Sequence, residues 1–175
     1  MTETFRALDD HLSSLLGAQI GRVRPGEIRV AITRDPEPVS DWGGEPVVAP
    51  IRLLVCGGRG VILTTRFLAK IAEAWAGDFA APDYLLRHEF LDELRASVAT
   101  ALEAEVTVAS FRILAGSSKG RPIPDLKGGH ALSLEAGSGG LSAIVVRDSE
   151  REAARSLLAA GWREYGRWVQ FEARR

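Results

Sequence analysis

The chain has 175 residues, of which 46% are hydrophobic and 26% charged, and its formal net charge is −1. That length fits one domain, and those proportions are typical of a globular protein and exclude a disordered or collagen-like chain. The balanced charge gives no long-range attraction to nucleic acid or to anionic membranes, and no run of about 18 apolar residues or signal-peptide pattern is present, so we expect a soluble, cytoplasmic protein without a membrane or nucleic-acid partner.

The N-terminal part predicts a helix, a strand and a long loop. Residues 4–16 place their apolar side chains on one helical stripe, with Asp9 and Asp10 outside it. Residues 27–33 alternate between apolar and polar or small side chains, which indicates a half-buried strand. Residues 34–46 hold three prolines and two adjacent glycines, so a loop follows, with Trp42 either anchored on the core or exposed as a contact.

A glycine-rich stretch separates two apolar strands, residues 47–56 and 60–64. We expect a hairpin in which the glycines supply the positive φ of the turn, and this places Arg59 at the surface. The alternative is a loop between a strand and a helix, whose backbone N–H groups hold a phosphate. In that case Gly58, Arg59 and Gly60 are the cofactor-binding residues.

The middle of the chain predicts two helices, a strand and a loop. The first helix runs from about Thr65 to Gly77, and the second covers about 82–104. The strand covers 106–114, and residues 115–129 form the loop and a soft domain boundary. Four apolar residues share one face of the first helix: Phe67, Leu68, Ile71 and Trp75.

The C-terminal part predicts strands at 130–135 and 141–146, a helix at 150–160 and a final aromatic strand. Ser149 and Glu152 form a capping box for that helix. In the final strand we expect Trp162 and Trp168 on one face, with Tyr165, Val169 and Phe171 on the other. Two apolar faces on a terminal strand favour an edge strand that pairs with a second copy in a homodimer. The alternative is a central strand that is buried on both faces of one monomer.

Strands and helices alternate irregularly, and hairpins are frequent. This pattern predicts an α+β fold with a mixed, mainly antiparallel sheet and helices packed on it. The residues after the 115–129 loop are too few for an independent core, so we expect one domain over 1–175.

Few side chains are candidates for chemistry. The three histidines have no i, i+4 spacing, and the single cysteine, Cys56, excludes a cysteine-based zinc site, so no metal site is predicted. His130 enters a strand from a glycine pair and is a candidate general base, because its pKa lies near neutrality. Tyr165 in the final strand is the second candidate catalytic residue.

The segment IVVRDSEREAARSLLAAGWREYGRWVQFEA lies within about 32 residues of the C-terminus and has the order strand, helix, glycine, aromatic residue, strand. It resembles the end of a GNAT-type N-acyltransferase, whose helix reads N-x-x-A-x-x-L-Y-x-x-x-G-F. Residues 153–154, Leu158 and residues 161–162 match that form. Glu150 stands near the family's asparagine, and Leu157 stands at the tyrosine that serves as general acid.

The resemblance implies an acyltransferase-like fold and an acyl-CoA or other small-molecule ligand, with coenzyme A or acetyl-CoA as cofactor. Residues 1–115 loosely resemble the leader region of some members. Arg59-Gly60 is the only counterpart of the family's Q/R-x-x-G-x-G/A pyrophosphate loop. We therefore expect a GNAT-like domain that binds a ligand or regulates. Two alternatives remain, a non-catalytic interaction or self-association module and an active acyl-CoA-dependent N-acyltransferase.

Overall fold

One mixed sheet organises the described part of the chain. A computed structural model of the protein describes residues 3–16, 18–33, 48–77, 81–117, 130–133 and 141–174. The helices in these ranges are α1 (Glu3–Leu16), α2 (Ala69–Gly77), α3 (His88–Leu102) and α4 (Arg151–Ala159). The strands are β1 (Ile28–Thr33), β2 (Val48–Cys56), β3 (Arg59–Thr65), β4 (Glu105–Ser117), β5 (His130–Ser133), β6 (Leu141–Arg147) and β7 (Arg163–Arg174).

The strand order across the sheet is β1-β3-β2-β7-β4-β6-β5. β1 is parallel to β3, and every other described pair is antiparallel. The prediction of an α+β fold with a mixed, mainly antiparallel sheet is confirmed. Strands from both sides of residues 118–129 join this one sheet. Among the described residues, no helix is long and apolar enough to cross a membrane.

The glycine-rich stretch is a hairpin turn, as predicted. β2 and β3 pair antiparallel from Ile51 opposite Thr64 to Cys56 opposite Arg59. Gly57 and Gly58 form the turn with φ values of +54° and +71°. Side chains other than glycine rarely adopt this left-handed conformation, which explains the glycine pair.

The two faces of the sheet are covered by different helices. Side chains of α1 and of the 3₁₀ turn at Ile20–Arg22 pack on one face, called the α1 face. Side chains of α2 and α3 pack on the opposite face, and α4 covers that face over β4 and β6. The strands alternate between these layers, as the pleat requires. Buried members of the α1 face are Leu8, Leu12, Leu54, Leu63, Phe111, Ile113 and Trp168.

The prediction that the final strand lies at an edge is wrong. β7 pairs with β2 on one side and with β4 on the other, so its backbone groups are already used and no open edge is left for a homodimer through this strand. Trp168 and Phe171 are fully buried. The alternative of a central strand, buried on both faces, describes β7.

The predicted partition of the aromatic side chains is also wrong. The register between β4 and β7 shifts between Ile113 and Leu114, where β7 carries one extra residue. This bulge brings Tyr165 onto the α1 face beside Trp168, while Trp162 packs under α4. A bulge of this kind reverses the alternation of every residue beyond it, which a two-residue period does not foresee.

Local details differ from the sequence expectations at two helices. Phe67 is 71% exposed, because Arg66–Leu68 form a 3₁₀ turn before α2 and the side-chain period there is three. The N-cap of α4 is Glu150 without a side-chain capping hydrogen bond, so the predicted capping box of Ser149 and Glu152 is not formed. Residues 115–117 of the predicted loop at 115–129 belong instead to β4. The rest of that loop and the predicted loop at 34–46, with Trp42, lie outside the described residues.

Because Trp168 lies at the centre of the sheet, we expect Trp168→Ala to lower the free energy of unfolding by about 3–5 kcal/mol, the usual cost of truncating a buried tryptophan. Urea denaturation measures the loss. Phe67→Ala, at an exposed aromatic residue, is the matched control and is expected within about 0.5 kcal/mol of the wild type. A stable, folded Trp168→Ala protein would contradict the central position of β7.

Candidate functional site

Two of the sequence candidates, Arg59 and Tyr165, meet in a buried polar cluster under α1. Arg59 holds Asp9 with two parallel hydrogen bonds, Nη1 to Oδ2 and Nη2 to Oδ1, each 2.9 Å long. The Tyr165 hydroxyl donates to Oδ1 of the same carboxylate. Asp9, Arg59 and Tyr165 are 1%, 5% and 6% exposed. The three side chains therefore form one desolvated network.

Each member of this cluster is positioned by a different element. Asp9 lies next to Leu8 on the side of α1 that faces the sheet. Arg59 is the first residue after the hairpin turn, and Tyr165 occupies the bulge of β7. Gly166 allows the close approach of β7 to β2, because a Cβ at this position would lie 2.5 Å from the carbonyl oxygen of Val55.

The remaining donors of Arg59 are also used inside the protein. Nε donates to the carbonyl oxygen of Cys56 over 3.2 Å, and Nη1 donates to that of Ile20 over 3.4 Å. Among the described residues, no buried side-chain nitrogen or oxygen lacks a hydrogen-bond partner. Because buried polar groups are costly only when unsatisfied, this network fits a structural role.

The environment shifts three pKa values in the cluster. The hydrogen bonds from Arg59 to Asp9 hold the guanidinium pKa above its ordinary value. Burial, followed by the charges and hydrogen bonds of Cys56 and Asp9, raises the pKa of Tyr165 well above its ordinary value. Burial likewise raises the pKa of the Cys56 thiol. A hydroxyl and a thiol in this state hold their protons near neutral pH, and neither offers a ready nucleophile or acid.

The geometry gives no support to the predicted phosphate loop at Gly58, Arg59 and Gly60. The guanidinium of Arg59 points into the core and not to the surface, contrary to the surface position expected from the hairpin. Gly60 is covered by the protein itself, since a Cβ there would lie 2.9 Å from Leu85 Cδ1 and 3.1 Å from Ile28 Cγ1. Of the three residues of the predicted phosphate loop, Gly58 in the turn is exposed, whereas Arg59 and Gly60 are buried.

The other catalytic candidate, His130, is described by its backbone alone. It begins β5 opposite Val145, and its side chain lies outside the described residues. The described residues contain no group of three or more histidine, cysteine, aspartate or glutamate side chains that could hold a metal ion.

Sequence reasoning missed Asp9, which it placed outside the buried stripe of α1. The available signal is its position: Asp9 directly follows Leu8 and lies three residues before Leu12, both of which are fully buried. A carboxylate at the margin of an apolar stripe becomes buried only where a cation meets it. That cation, Arg59, is separated from it by 50 residues along the chain.

Comparison with known proteins finds no similar protein: no family model matches the sequence, and no curated protein or solved structure matches the chain. Function is therefore inferred from the residues of this chain and their geometry.

The buried ion pair gives a stability prediction. Arg59→Ala leaves the carboxylate of Asp9 desolvated without its cation, so we expect a loss of about 3–5 kcal/mol in the free energy of unfolding. Urea denaturation measures it, and Arg66→Ala, at an exposed arginine, is the control with an expected change within about 0.5 kcal/mol. The double variant Asp9→Ala with Arg59→Ala should lose less than the two single losses together. An Arg59→Ala protein as stable as the control would contradict the pair.

The raised pKa of Tyr165 predicts a loss of stability in alkali. Below the pKa of about 10 that Tyr165 has in the unfolded chain, the folded and unfolded states both keep the proton, and Tyr165 contributes fully to the free energy of unfolding. Above it, the unfolded chain releases the proton while the folded protein retains it, so the free energy of unfolding falls as pH rises. The chain has two tyrosines, so in a Tyr84→Phe background the tyrosinate absorbance reports Tyr165 alone. We expect no tyrosinate until the protein unfolds; ionisation near pH 10 in the folded state would refute the burial.

Proposed function

We propose that this protein is a GNAT-like ligand-binding or regulatory domain and not a standard acyltransferase. The supporting observation is the use of Arg59 and Tyr165 inside the core, where both complete the network around Asp9. A second support is the order of elements in the C-terminal part, which has the helix, glycine, aromatic residue and strand of the GNAT-type pattern. α4 is followed by Gly161 at φ +91°, by the buried Trp162 and by β7.

Acyl transfer from a thioester needs a group that takes the proton of the attacking amine and a group that protonates the leaving thiolate. Tyr165 is 6% exposed, donates to Asp9 and has a raised pKa, so it is a poor proton donor to any substrate. Leu157, at the place of the family's tyrosine, is fully buried on the side of α4 that faces the sheet, and its side chain has no ionisable proton. A ligand such as coenzyme A or acetyl-CoA is therefore bound without turnover in this proposal.

A second candidate function is self-association through the edge strand β1. β1 pairs only with β3 among the described residues, and its Ile32 is 54% exposed. Ile32 lies at the end of the sheet where β1 and β3 finish and β2 starts. Two further exposed apolar side chains lie at this end, Val48 (41% exposed) and Phe67 (71% exposed). In this alternative the partner is a second copy, whose β1 pairs with this one across a twofold axis.

We expect no acyl transfer. Purified protein incubated with acetyl-CoA and a panel of amines should release free coenzyme A no faster than buffer, as measured with a thiol reagent. If acetyl-CoA is a ligand, it should raise the melting temperature, because a ligand at 100 times its dissociation constant stabilises by about 2.7 kcal/mol.

Two outcomes separate the candidates. Release of coenzyme A that is lost in His130→Ala or Tyr165→Phe would contradict the non-catalytic proposal. An unchanged melting temperature with acetyl-CoA, together with a dimer in light scattering that Ile32→Lys converts into a monomer, would favour self-association. Glu73→Gln, at an exposed position of α2, changes the net charge by the same +1 and is the control for the charge change.

A further inference from the structure

A small cavity lined by arginines lies between β4 and α4, on the sheet face opposite α1. Its volume is about 120 Å³, and its lining residues are Arg112, Arg151, Ala154, Arg155 and Leu158. None of these is acidic. A cavity of about 150 Å³ accepts a benzene molecule, so this one suits a single compact group and not a whole cofactor.

Two of the arginines form no ion pair with a described residue. Arg151 and Arg155 are four residues apart on α4, and both are exposed. No carboxylate oxygen of a described residue lies within 4.0 Å of either guanidinium. Like charges at i, i+4 repel each other and oppose helix formation. An anion between the two side chains would remove that repulsion.

The third arginine is held in place from the sheet side. Arg112 donates from Nε to Asp148 Oδ1 over 3.1 Å and from Nη1 to Glu164 Oε2 over 3.4 Å. Its Nη2 has no hydrogen bond to a described residue, so two N–H groups are left for a ligand. Arg167 shares both carboxylates, so the two arginines and the two carboxylates form one cluster that fixes the orientation of Arg112. A donor fixed in this way loses little freedom on binding.

The chemistry of the lining selects the anion. Guanidinium groups match phosphoryl oxygens with paired hydrogen bonds. Two cations without an ion pair to a described residue, Arg151 and Arg155, next to the oriented Arg112 favour a doubly charged group over a single carboxylate. Leu158 is 38% exposed and Ala154 is buried beside it, so the cavity also has an apolar side. We propose that this cavity binds the phosphoryl group of a small-molecule phosphate monoester whose carbon side lies against Leu158. The proposal does not depend on coenzyme A binding or on the absence of acyl transfer.

The test titrates the full-length protein with phenyl phosphate, inorganic phosphate and benzoate, by calorimetry and by NMR of the arginine Nε–H groups. We expect phenyl phosphate to bind more tightly than inorganic phosphate, and both to bind more tightly than benzoate. Binding should weaken with added salt and shift the signals of Arg112, Arg151 and Arg155. Arg151→Gln with Arg155→Gln should lower the affinity for phenyl phosphate at least about tenfold, because each removes a charged donor.

Matched variants keep the test independent of folding. Arg151→Gln and Arg155→Gln change exposed residues that have no ion pair to a described residue. The melting temperature of the free double variant should therefore be unchanged or slightly higher, since the repulsion between the two arginines on α4 is gone. Arg66→Gln removes an exposed arginine elsewhere and should leave binding unchanged. Leu158→Ser should remove the preference for phenyl phosphate over inorganic phosphate.

Four results would overturn the proposal. One is the absence of phenyl phosphate binding by the wild type at millimolar concentrations. Another is equal affinity in the wild type and in the double Arg→Gln variant. The third is benzoate binding as tight as that of phenyl phosphate, which would remove the selection for a dianion. Equal binding of inorganic phosphate and phenyl phosphate would restrict the site to the free ion and overturn the assignment to a monoester.

Discussion

The ion pair between Asp9 and Arg59 is the interaction on which the arrangement of this fold depends. A desolvated carboxylate and a desolvated guanidinium are tolerated only together and with their remaining donors satisfied, and here Tyr165 and two backbone carbonyl groups complete the set. The pair joins α1 to the β2–β3 hairpin, and the tyrosine joins both to the central strand β7. Apolar packing alone permits a helix to shift along a sheet, whereas a bidentate pair allows one position.

This constraint also decides which residues remain for chemistry. Arg59 and Tyr165 have the side chains expected of a phosphate ligand and a proton donor, but the core uses both. A fully paired polar cluster is thereby buried on the α1 face, at the end of the sheet where β2 and β3 form their hairpin turn. The opposite face is built differently, because α2 with α3 and α4 cover separate parts of it. Half-exposed charges, among them Arg112 and Arg167, lie in the sheet between those helices.

The central position of β7 has a similar effect on interactions between molecules. Because β2 and β4 occupy both of its sides, the most aromatic segment of the chain stabilises the sheet and offers no open backbone edge for association. Among the described residues, the two most exposed large apolar side chains lie instead near the edge strand β1, at Ile32 and Phe67. Among the described residues the sheet has two edge strands, β1 and β5, and association of this chain through backbone pairing would use one of them.

The sequence by itself determined the local elements, because their signals are short in range. Alternation over residues 27–33 and the glycine pair before Arg59 predicted a strand and a hairpin, and both are present. Only the tertiary structure decided which strand is central, since hydrogen-bond partners far apart in sequence leave no trace in a local period. The bulge at Tyr165 depends on the register with β4, and the burial of Asp9 depends on a cation 50 residues away. The approach of Arg112 to α4 likewise exists only after β4 and α4 have packed together, because no spacing along the chain encodes a distance across a sheet.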